Sequence, residues 1–327
     1  MYLAPGGANS ILGRNGLKIL VLGAGGIGGY FGGRLAEAGA DATFLVRPQR
    51  RERIATEGLR IESPLGNAVL RVKTVLDADV RAGYDLVLFT CKAYDLDSAM
   101  DSIAPAMAGR CVVVPLLNGL AHFERLDARF GRERVLGGTC QINATLRADG
   151  TVVHGDRLQR LLFGARHPGQ AAAARAFGAA LATTRIEWTE SPDIEQDLWE
   201  KIVFLCALAS TTCLFRGNVR EIVAAPGGRE AMERALAANA EIARREGRAP
   251  RPEMLEFARA RLTDPQGLWS ASMLRDLESG GRVEADHIVG WMLERARAHA
   301  IDDTILSLAY THLKAYEARR AAGRLQG

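Results

Sequence analysis

The sequence predicts an α/β protein in two parts, a parallel sheet with crossover helices followed by a domain built only of helices. In the first half, short apolar runs alternate with helical segments, and this alternation favours a parallel sheet with right-handed crossovers. From residue 189 onward the sequence shows mainly long helical periodicity, opened by Pro192. We therefore predict a flexible N-terminal tail over residues 1–16, a sheet domain over 17–188 and a helical domain over 189–327. We expect a small-molecule site between the two domains.

The individual elements are predicted from the period of their apolar residues. Strands are predicted at residues 18–22, 41–46, 68–75, 85–90 and 110–117, with shorter strands at 152–154 and 161–163. Helices are predicted at 29–36, 96–100, 171–182, 194–214, 228–246, 252–262, 287–300 and 305–320. Lys92 and Asn118 each follow a predicted strand. Because ligands of open parallel sheets bind beyond the carboxyl ends of the strands, these two residues are predicted to face one crevice.

A glycine-rich turn follows the first predicted strand directly. It has the form G-x-G-x-x-G, in which Gly23 permits the tight turn, Gly25 lets the backbone approach a pyrophosphate and Gly28 lets the helix pack closely on the strand. The phosphates then lie at a helix N-terminus, which favours negative charge. Such a turn can also be a simple sharp bend, but the strand before it and the helix after it favour a Rossmann-type dinucleotide site. The predicted cofactor-binding residues of this turn are Gly23, Ala24, Gly25, Gly26, Ile27 and Gly28.

The end of the second predicted strand indicates which dinucleotide binds. NAD-binding folds usually have an acidic residue there for the ribose 2′-hydroxyl, whereas this chain has Arg47, and no carboxylate occurs before Glu52. A guanidinium group pairs well with phosphate, so we predict NADP(H) with Arg47 at the 2′-phosphate. The alternative is a solvated basic loop, and it stays fully open for Arg50 and Arg51.

The composition excludes several classes of function. The 327 residues are 48% hydrophobic and 24% charged, with a net charge of +4, and no basic stripe with aromatic residues suggests a nucleic-acid partner. The five scattered cysteines and six histidines show no C-x-x-C or ligand spacing, so we expect reduced thiols, a cytoplasmic protein and no metal. No uninterrupted apolar run approaches the length of a membrane span, and residues 1–16 lack the apolar core of a signal peptide.

Three further motifs occur in the second half of the chain. They are Asp197-Leu-Trp-Glu-Lys201, Ser270-Ala-Ser272-Met-Leu-Arg-Asp276 and Gly281-Arg-Val-Glu284-Ala-Asp286-His-Ile-Val-Gly290. Together with the glycine-rich turn, Cys91-Lys92 and Asn118-Gly119, their order resembles the ketopantoate reductase (2-dehydropantoate 2-reductase) family. The resemblance runs from about Leu17 to Tyr316. It implies reduction of a 2-oxo acid, ketopantoate, to a 2-hydroxy acid with NADPH in pantothenate synthesis.

The resemblance also implies roles for single residues. Lys201 matches the family's catalytic lysine, which hydrogen-bonds the reacting oxygen and protonates it, and Glu284 matches the acid that supports this transfer. Ser272 and Asn118 match substrate-binding positions, and Lys92 matches a lysine of the crevice; we predict that Lys92 and Asn118 also contact the cofactor. An ammonium group suits this chemistry because hydride attack on a ketone builds negative charge on oxygen. Without the resemblance, these residues would be predicted to be ordinary surface or capping side chains.

One stretch departs from the family pattern. The family's lysine is followed at four and eight residues by asparagines on the same helix face, whereas this chain has Leu205 and Ala209 there. The hydroxyl groups of residues 210–212 come just beyond, so polar groups are only slightly displaced.

Three functions therefore stay open at the level of sequence. They are ketopantoate reduction, reduction of another, more apolar 2-oxo acid by the same lysine and glutamate, and a non-catalytic NADP(H)-binding sensor. The retention of Lys201, Ser272 and Glu284 argues against the sensor. Resembling proteins occur as dimers, so we also expect a homodimer.

Overall fold

A parallel sheet of five strands forms the first layer of the fold. The computed structural model describes residues 16–325, so the predicted tail lies outside the described residues except for Gly16. The strands of the described residues belong to two sheets. They are β1 (Lys18–Leu22), β2 (Asp41–Leu45), β3 (Leu59–Glu62), β4 (Ala68–Leu70), β5 (Lys73–Val75), β6 (Leu86–Phe89), β7 (Val112–Pro115), β8 (Gly137–Leu146), β9 (Val152–Gly164) and β10 (Glu187–Glu190). The parallel sheet has the order β5-β2-β1-β6-β7, as predicted for a Rossmann-type domain.

Eight helices of the described chain lie at predicted positions, whereas those at residues 48–57, 121–130, 219–224 and 272–278 were not predicted. The helices are α1 (Gly26–Glu37), α2 (Pro48–Glu57), α3 (Leu96–Ile103), α4 (Ala121–Phe130), α5 (Ala171–Leu181), α6 (Ile194–Phe215), α7 (Val219–Ala224), α8 (Gly228–Arg245), α9 (Pro252–Leu262), α10 (Ser272–Glu278), α11 (Trp291–Ala298) and α12 (Thr304–Ala321). From α6 onward the described chain is helical, which confirms the predicted fold class.

The register of the parallel sheet aligns three strand ends. Leu22 of β1 lies beside Leu45 of β2 and beside Phe89 of β6. β6 is fully buried, β1 is buried beyond Lys18, and β2 is buried except at Asp41 and Thr43, because crossover helices cover parallel sheets on both faces. The glycine-rich turn, Arg47 and Lys92 therefore all lie just beyond the carboxyl ends of neighbouring strands, on the same side of the sheet.

A second sheet packs on the other side of α1, and glycines make this possible. This sheet has the order β10-β9-β3-β4, with β8 paired to β9. A Cβ atom on Gly29 would lie 2.6 Å from Val152 of the second sheet, and one on Gly32 would lie 2.9 Å from Phe44 of the first. Glycines on two sides of α1 thus let both sheets approach its backbone, which explains why this helix is so rich in them.

Two strand predictions are wrong, and so is the loop that was the alternative for the stretch after Arg47. The single strand expected at residues 68–75 is two strands: β4 pairs antiparallel with β3 in the second sheet, and β5 pairs with β2 in the first. The two short strands expected at 152–154 and 161–163 are one strand, β9, paired to β8 across a bulge. The stretch after Arg47 is not a loop but helix α2, with Pro48 at its first position.

Contacts divide the described chain into two compact units. The first holds the residues up to Leu117 and Leu126–Ile194, and the second holds Asn118–Arg125 and the residues from Glu195 onward. The boundary predicted near residue 188 stays a prediction. By length and composition alone α6 could cross a membrane, but 67% of its most apolar window is buried inside the protein, as in a core helix.

Candidate active site

The glycine-rich turn of the first unit has the shape that a phosphate group requires. Gly23 has a φ of +88°, and its amide donates to the carbonyl of Leu45 at 2.9 Å. A Cβ atom on Gly25 would meet no atom within 4 Å, so open space lies in front of this residue. Gly25 is also the N-cap of α1 and provides no side-chain cap, so the first amides of the helix remain available to a ligand.

Gly28 lies where the helix packs closely against the turn. A Cβ atom there would overlap the carbonyl oxygen of Gly23 and the hydroxyl of Thr90. Thr90 in turn donates to the carbonyl of Leu22 at 2.6 Å, so the turn is held against the end of β6. The outer two glycines of the motif thus shape the turn, while Gly25 leaves room for the ligand.

Arg50 braces this turn from α2. Its guanidinium group donates to the carbonyl of Ala24 at 2.9 Å and to the carbonyl of Gly150 at 2.7 Å. Gly150 lies in the tight turn between β8 and β9, so Arg50 ties the glycine-rich turn to the second sheet. The alternative of a solvated side chain is therefore wrong for Arg50, whereas Arg51 is exposed. No sequence pattern indicates this role, because Gly150 is distant from Arg50 along the chain.

Arg47 lies at the N-terminus of α2, just beyond the end of β2. Its side chain is 87% exposed, and its guanidinium lies 3.7 Å from the carboxylate of Asp95. A contact this long and this exposed leaves most of the guanidinium surface accessible. Lys92 is also exposed and begins the short helical turn Ala93–Asp95 after β6.

The residues of the first unit fit a dinucleotide. The open space at Gly25 and the uncapped start of α1 suit a pyrophosphate, and the exposed cation at the end of β2 suits a 2′-phosphate. The individual cofactor contacts, including those of Ala24, Gly26, Ile27 and Lys92, stay predictions.

In the second unit, the structure joins two of the predicted site residues directly. Lys201 on α6 donates from Nζ to the side-chain oxygen of Asn118 at 3.1 Å, although 83 residues separate them in sequence. Both side chains are half-buried. An ammonium group with a fixed hydrogen-bond partner and remaining exposed surface can donate a second hydrogen bond to a bound carbonyl oxygen.

The helix that carries Lys201 is fixed by its neighbours on another side. Arg251 donates to the carboxylate of Glu200 from its backbone amide at 2.9 Å and from Nε at 2.8 Å, and it also pairs with Asp197. Burial raises the pKa of Glu200, but the hydrogen bonds from Arg251 outweigh this and hold that pKa below its usual value. Glu200 is therefore ionised and bound to Arg251, and α6 is anchored one residue before Lys201.

Glu284 lies in a segment that α12 holds in place. Glu284 itself is only 8% exposed. Tyr316 donates to the carbonyl of Gly281 at 2.7 Å, and Tyr310 donates to Asp286 at 2.6 Å. The segment between these two contacts is thus fixed at both ends, and Glu284 is at its centre.

A tight contact joins the Glu284 segment to the residue after Asn118. The residues Asp286–Gly290 form a π-helical turn rather than the start of the predicted helix at 287–300. Gly119 has a φ of +85°, and a Cβ atom on it would lie 2.7 Å from the carbonyl oxygen of His287. π-helical turns are rare in proteins overall, but those that occur are often at functional sites. This turn therefore supports the prediction of a functional site near Glu284.

Two histidines stack beside this contact. The rings of His122 and His287 are 5.6 Å apart and nearly parallel, with nitrogens at 3.4 Å. Burial, aided by the charge of Arg125, lowers the pKa of His287 to about 4. His287 is therefore neutral at pH 7. Sequence analysis did not single out these histidines, because their pairing depends on two distant segments.

Ser272 lies at the start of α10, which docks on the C-terminal part of α6. The backbone amide of Ala271 donates to the hydroxyl of Thr212 at 3.4 Å, and Ser272 follows directly. Lys201 lies in the N-terminal half of α6. The structure thus brings Lys201 and Asn118 together and packs the Glu284 segment against Gly119. Ser272 belongs to α10 and follows the residue that contacts Thr212, near the C-terminal end of α6. The roles predicted for these four residues stay predictions.

The possible metal ligands and the cysteine thiols of the described residues were the remaining candidates for a reactive site. Within residues 16–325, no three histidine, cysteine or acidic side chains are grouped as metal ligands. The five cysteines are free thiols. Burial raises the pKa of the Cys111 and Cys213 thiols to about 12, so neither is a reactive thiolate at pH 7.

Comparison with known proteins gives a consistent result. The chain matches the family described as "Ketopantoate reductase PanE/ApbA" over residues 19–168 and its C-terminal part over residues 193–317. It is 35% identical to the uncharacterized oxidoreductase YkpB of Bacillus subtilis (strain 168), covering 93% of this chain and 100% of that protein. It is 29% identical to 2-dehydropantoate 2-reductase of Halobacterium salinarum, covering 87% of this chain and 94% of that protein.

A solved structure agrees with both matches. The crystal structure of a PanE/ApbA family ketopantoate reductase from Ralstonia eutropha JMP134 superposes with a TM-score of 0.83 at 26% identity, covering 93% of this chain and 100% of that one. The fold, the glycine-rich turn and these relatives define an oxidoreductase that uses a nicotinamide cofactor. The chain belongs to the ketopantoate reductase (PanE/ApbA) family.

Proposed function

We propose that this protein catalyses the NADPH-dependent reduction of a 2-oxo acid to a 2-hydroxy acid, with 2-dehydropantoate as the substrate that the family indicates. The observation that carries the proposal is the hydrogen bond of 3.1 Å between Lys201 and Asn118. It holds an ammonium group in a fixed direction in the unit that also contains Ser272 and Glu284. Cytoplasmic pantothenate synthesis is the setting that this substrate implies.

The reaction needs a proton at one oxygen atom, and Lys201 supplies it. Bound NADPH would deliver a hydride to C2 of the 2-oxo acid. As the carbonyl oxygen gains negative charge, the Lys201 ammonium hydrogen-bonds to it and then transfers a proton, which completes the 2-hydroxy acid. The lysine regains its proton from solvent. Asn118 positions the ammonium group, because its side-chain oxygen accepts one of the three hydrogens.

The remaining residues orient substrate and cofactor. Ser272 provides a half-exposed hydroxyl that would bind the substrate carboxylate, and the buried Glu284 would support proton transfer by Lys201. Arg47 would bind the 2′-phosphate of NADPH through its exposed guanidinium group. The open face of Gly25 would admit the pyrophosphate.

The direct test is NADPH oxidation followed at 340 nm with 2-dehydropantoate and a panel of other 2-oxo acids, with the product acid identified by mass spectrometry. We expect one equivalent of 2-hydroxy acid for each NADPH oxidised. NADPH that binds but is oxidised with none of the acids would contradict the proposal and favour a non-catalytic NADP(H) sensor.

A further inference from the structure

The face of α6 that carries Lys201 continues as an apolar stripe. Residues four, seven and eight positions past Lys201 share its side of the helix, and they are Leu205, Leu208 and Ala209. Leu205 is half-buried and keeps exposed surface, whereas Leu208 and Ala209 are buried. Phe204, three positions past Lys201, is also half-buried, and its ring lies 6.2 Å from that of Phe257. Leu205 is the half-buried member of the apolar stripe nearest to Lys201, at a Cβ separation of about 6 Å.

The hydroxyl groups beyond this stripe are committed to the helix backbone. Ser210 donates to the carbonyl of Ala207 at 3.2 Å, and Thr211 donates to the same carbonyl at 2.7 Å. Thr212 donates to the carbonyl of Leu208 at 2.6 Å. All three side chains are fully buried. Because each hydroxyl has a single hydrogen, none can donate to a substrate while these bonds persist, so they do not replace the amides that are missing from this face.

Resting on the proposed reduction of a 2-oxo acid, but not on ketopantoate as the preferred substrate, we propose that Leu205 sets the substrate class and makes ketopantoate the poorer substrate of the same reaction. The preferred substrate is a 2-oxo acid whose carbon chain beyond C2 ends in an apolar group rather than a hydroxyl. The hydroxyl of ketopantoate is on the second carbon beyond the carbonyl, within reach of a side chain one helical turn from Lys201. Against Leu205 that hydroxyl would lose water and gain no partner, whereas a methyl group there would be removed from water with the leucine.

A matched pair of substrates isolates this single hydroxyl. Ketopantoate is 4-hydroxy-3,3-dimethyl-2-oxobutanoate, and 3,3-dimethyl-2-oxobutanoate differs from it only in that group. We expect kcat/KM of the full-length protein with NADPH to be higher for the hydroxyl-free acid by about 10- to 100-fold, the discrimination that an apolar pocket provides. A site that hydrogen-bonds the hydroxyl would instead favour ketopantoate, by up to about 10⁴-fold.

Two variants at one position test whether Leu205 is responsible. Leu205→Asn introduces an amide and should move the ratio of the two kcat/KM values toward ketopantoate by at least about 10-fold. Leu205→Met keeps an apolar side chain of similar volume and should keep the preference of the native protein. Equal shifts in both variants would overturn the assignment to Leu205.

The outcomes separate this inference from the proposed function. Turnover of both acids with a preference for ketopantoate would overturn only the inference. Absence of NADPH oxidation with either acid, and with the wider panel, would overturn the proposed function and this inference with it.

Discussion

The half of this protein predicted to bind the cofactor and the half predicted to bind the substrate are built in different ways. In the first unit, the predicted phosphate site consists of backbone shaped by residues 23–28, which are consecutive in sequence. In the second unit, the predicted substrate site consists of side chains from distant segments, such as Asn118 and Lys201. A local backbone site can be recognised from a short motif, whereas a site of scattered side chains needs the fold to assemble it. The two halves should also fail differently, the first in cofactor binding and the second in turnover.

The largest effect expected from this contrast is at Lys201. Lys201→Ala removes the proposed proton donor and should lower kcat by about 10²- to 10⁴-fold. The Kd for NADPH should stay within about twofold, since a role in proton transfer leaves cofactor binding intact. Steady-state turnover and fluorescence titration of NADPH measure the two quantities. Lys73→Ala is the matched control, because Lys73 is an exposed lysine paired with Asp41. A kcat within tenfold of the native value in Lys201→Ala would remove the lysine from the mechanism.

Two glycines of one motif separate binding from packing. Gly25→Ala places a methyl group in the open space in front of α1, so the Tm should be nearly unchanged while the Kd for NADPH rises by about 10- to 100-fold. Gly28→Ala forces a methyl group onto the Gly23 carbonyl and should lower stability by about 1–3 kcal/mol. Thermal denaturation and NADPH titration of both variants check this. A Gly25→Ala protein that binds NADPH normally would show that the pyrophosphate lies elsewhere.

Arg47, which precedes α2, and Arg50 within α2 give a similar pair for the predicted 2′-phosphate site. Arg47→Ala should raise the Kd for NADPH by about 10- to 100-fold through loss of a charged hydrogen bond and leave the Kd for NADH unchanged. Arg50→Ala should weaken NADPH and NADH equally, by about fivefold, because Arg50 braces the turn at Ala24 that both cofactors share. Equal effects of Arg47→Ala on both cofactors would refute its selective role.

The smallest predicted effect concerns the neutral His287 in the second unit. The pKa of His287 is about 4 in the folded protein and about 6.5 in the unfolded chain. Below pH 6.5 the unfolded chain therefore binds a proton at this residue, whereas the folded protein does not until the pH approaches 4. Stability from this residue is complete above pH 6.5 and is lost as the pH falls from 6.5 toward 4. Because Asn does not titrate in this range, His287→Asn should lose less Tm between pH 7 and pH 5 than the native protein, by about 2 °C. An identical loss in both proteins would contradict this.

The sequence predicted the parallel sheet and the helix after the glycine-rich turn, and the structure shows why other parts of the first unit were missed. Strand β1, the turn and α1 follow from adjacent residues, and the parallel order follows from alternation. The split of residues 68–75 between two sheets was missed because one continuous β-pattern does not reveal a change of partner strand. The brace from Arg50 to Ala24 and the stack of His122 on His287 were missed because each depends on contacts between distant segments.

The predicted site in the second unit came from family resemblance rather than from residue patterns. Neither the charge of Lys201 nor that of Glu284 is unusual for a helical domain. What the structure adds is the fixed partner of Lys201, the anchored segment of Glu284 and the internal bonding of the hydroxyls at residues 210–212. The last point matters most for substrate, since the sequence alone left those hydroxyls available.

The most direct test of the proposed reaction is deuterium transfer from NADPH labelled at the transferable C4 position. The protein is incubated with labelled NADPH and 2-oxo acids, including the matched pair that differs in one hydroxyl, and the product acids are analysed by mass spectrometry. We expect one deuterium at C2 of each 2-hydroxy acid, and more of the hydroxyl-free product than of the other when both acids compete. Products without deuterium at C2, or no product from any acid while NADPH is bound, would contradict the proposed hydride transfer.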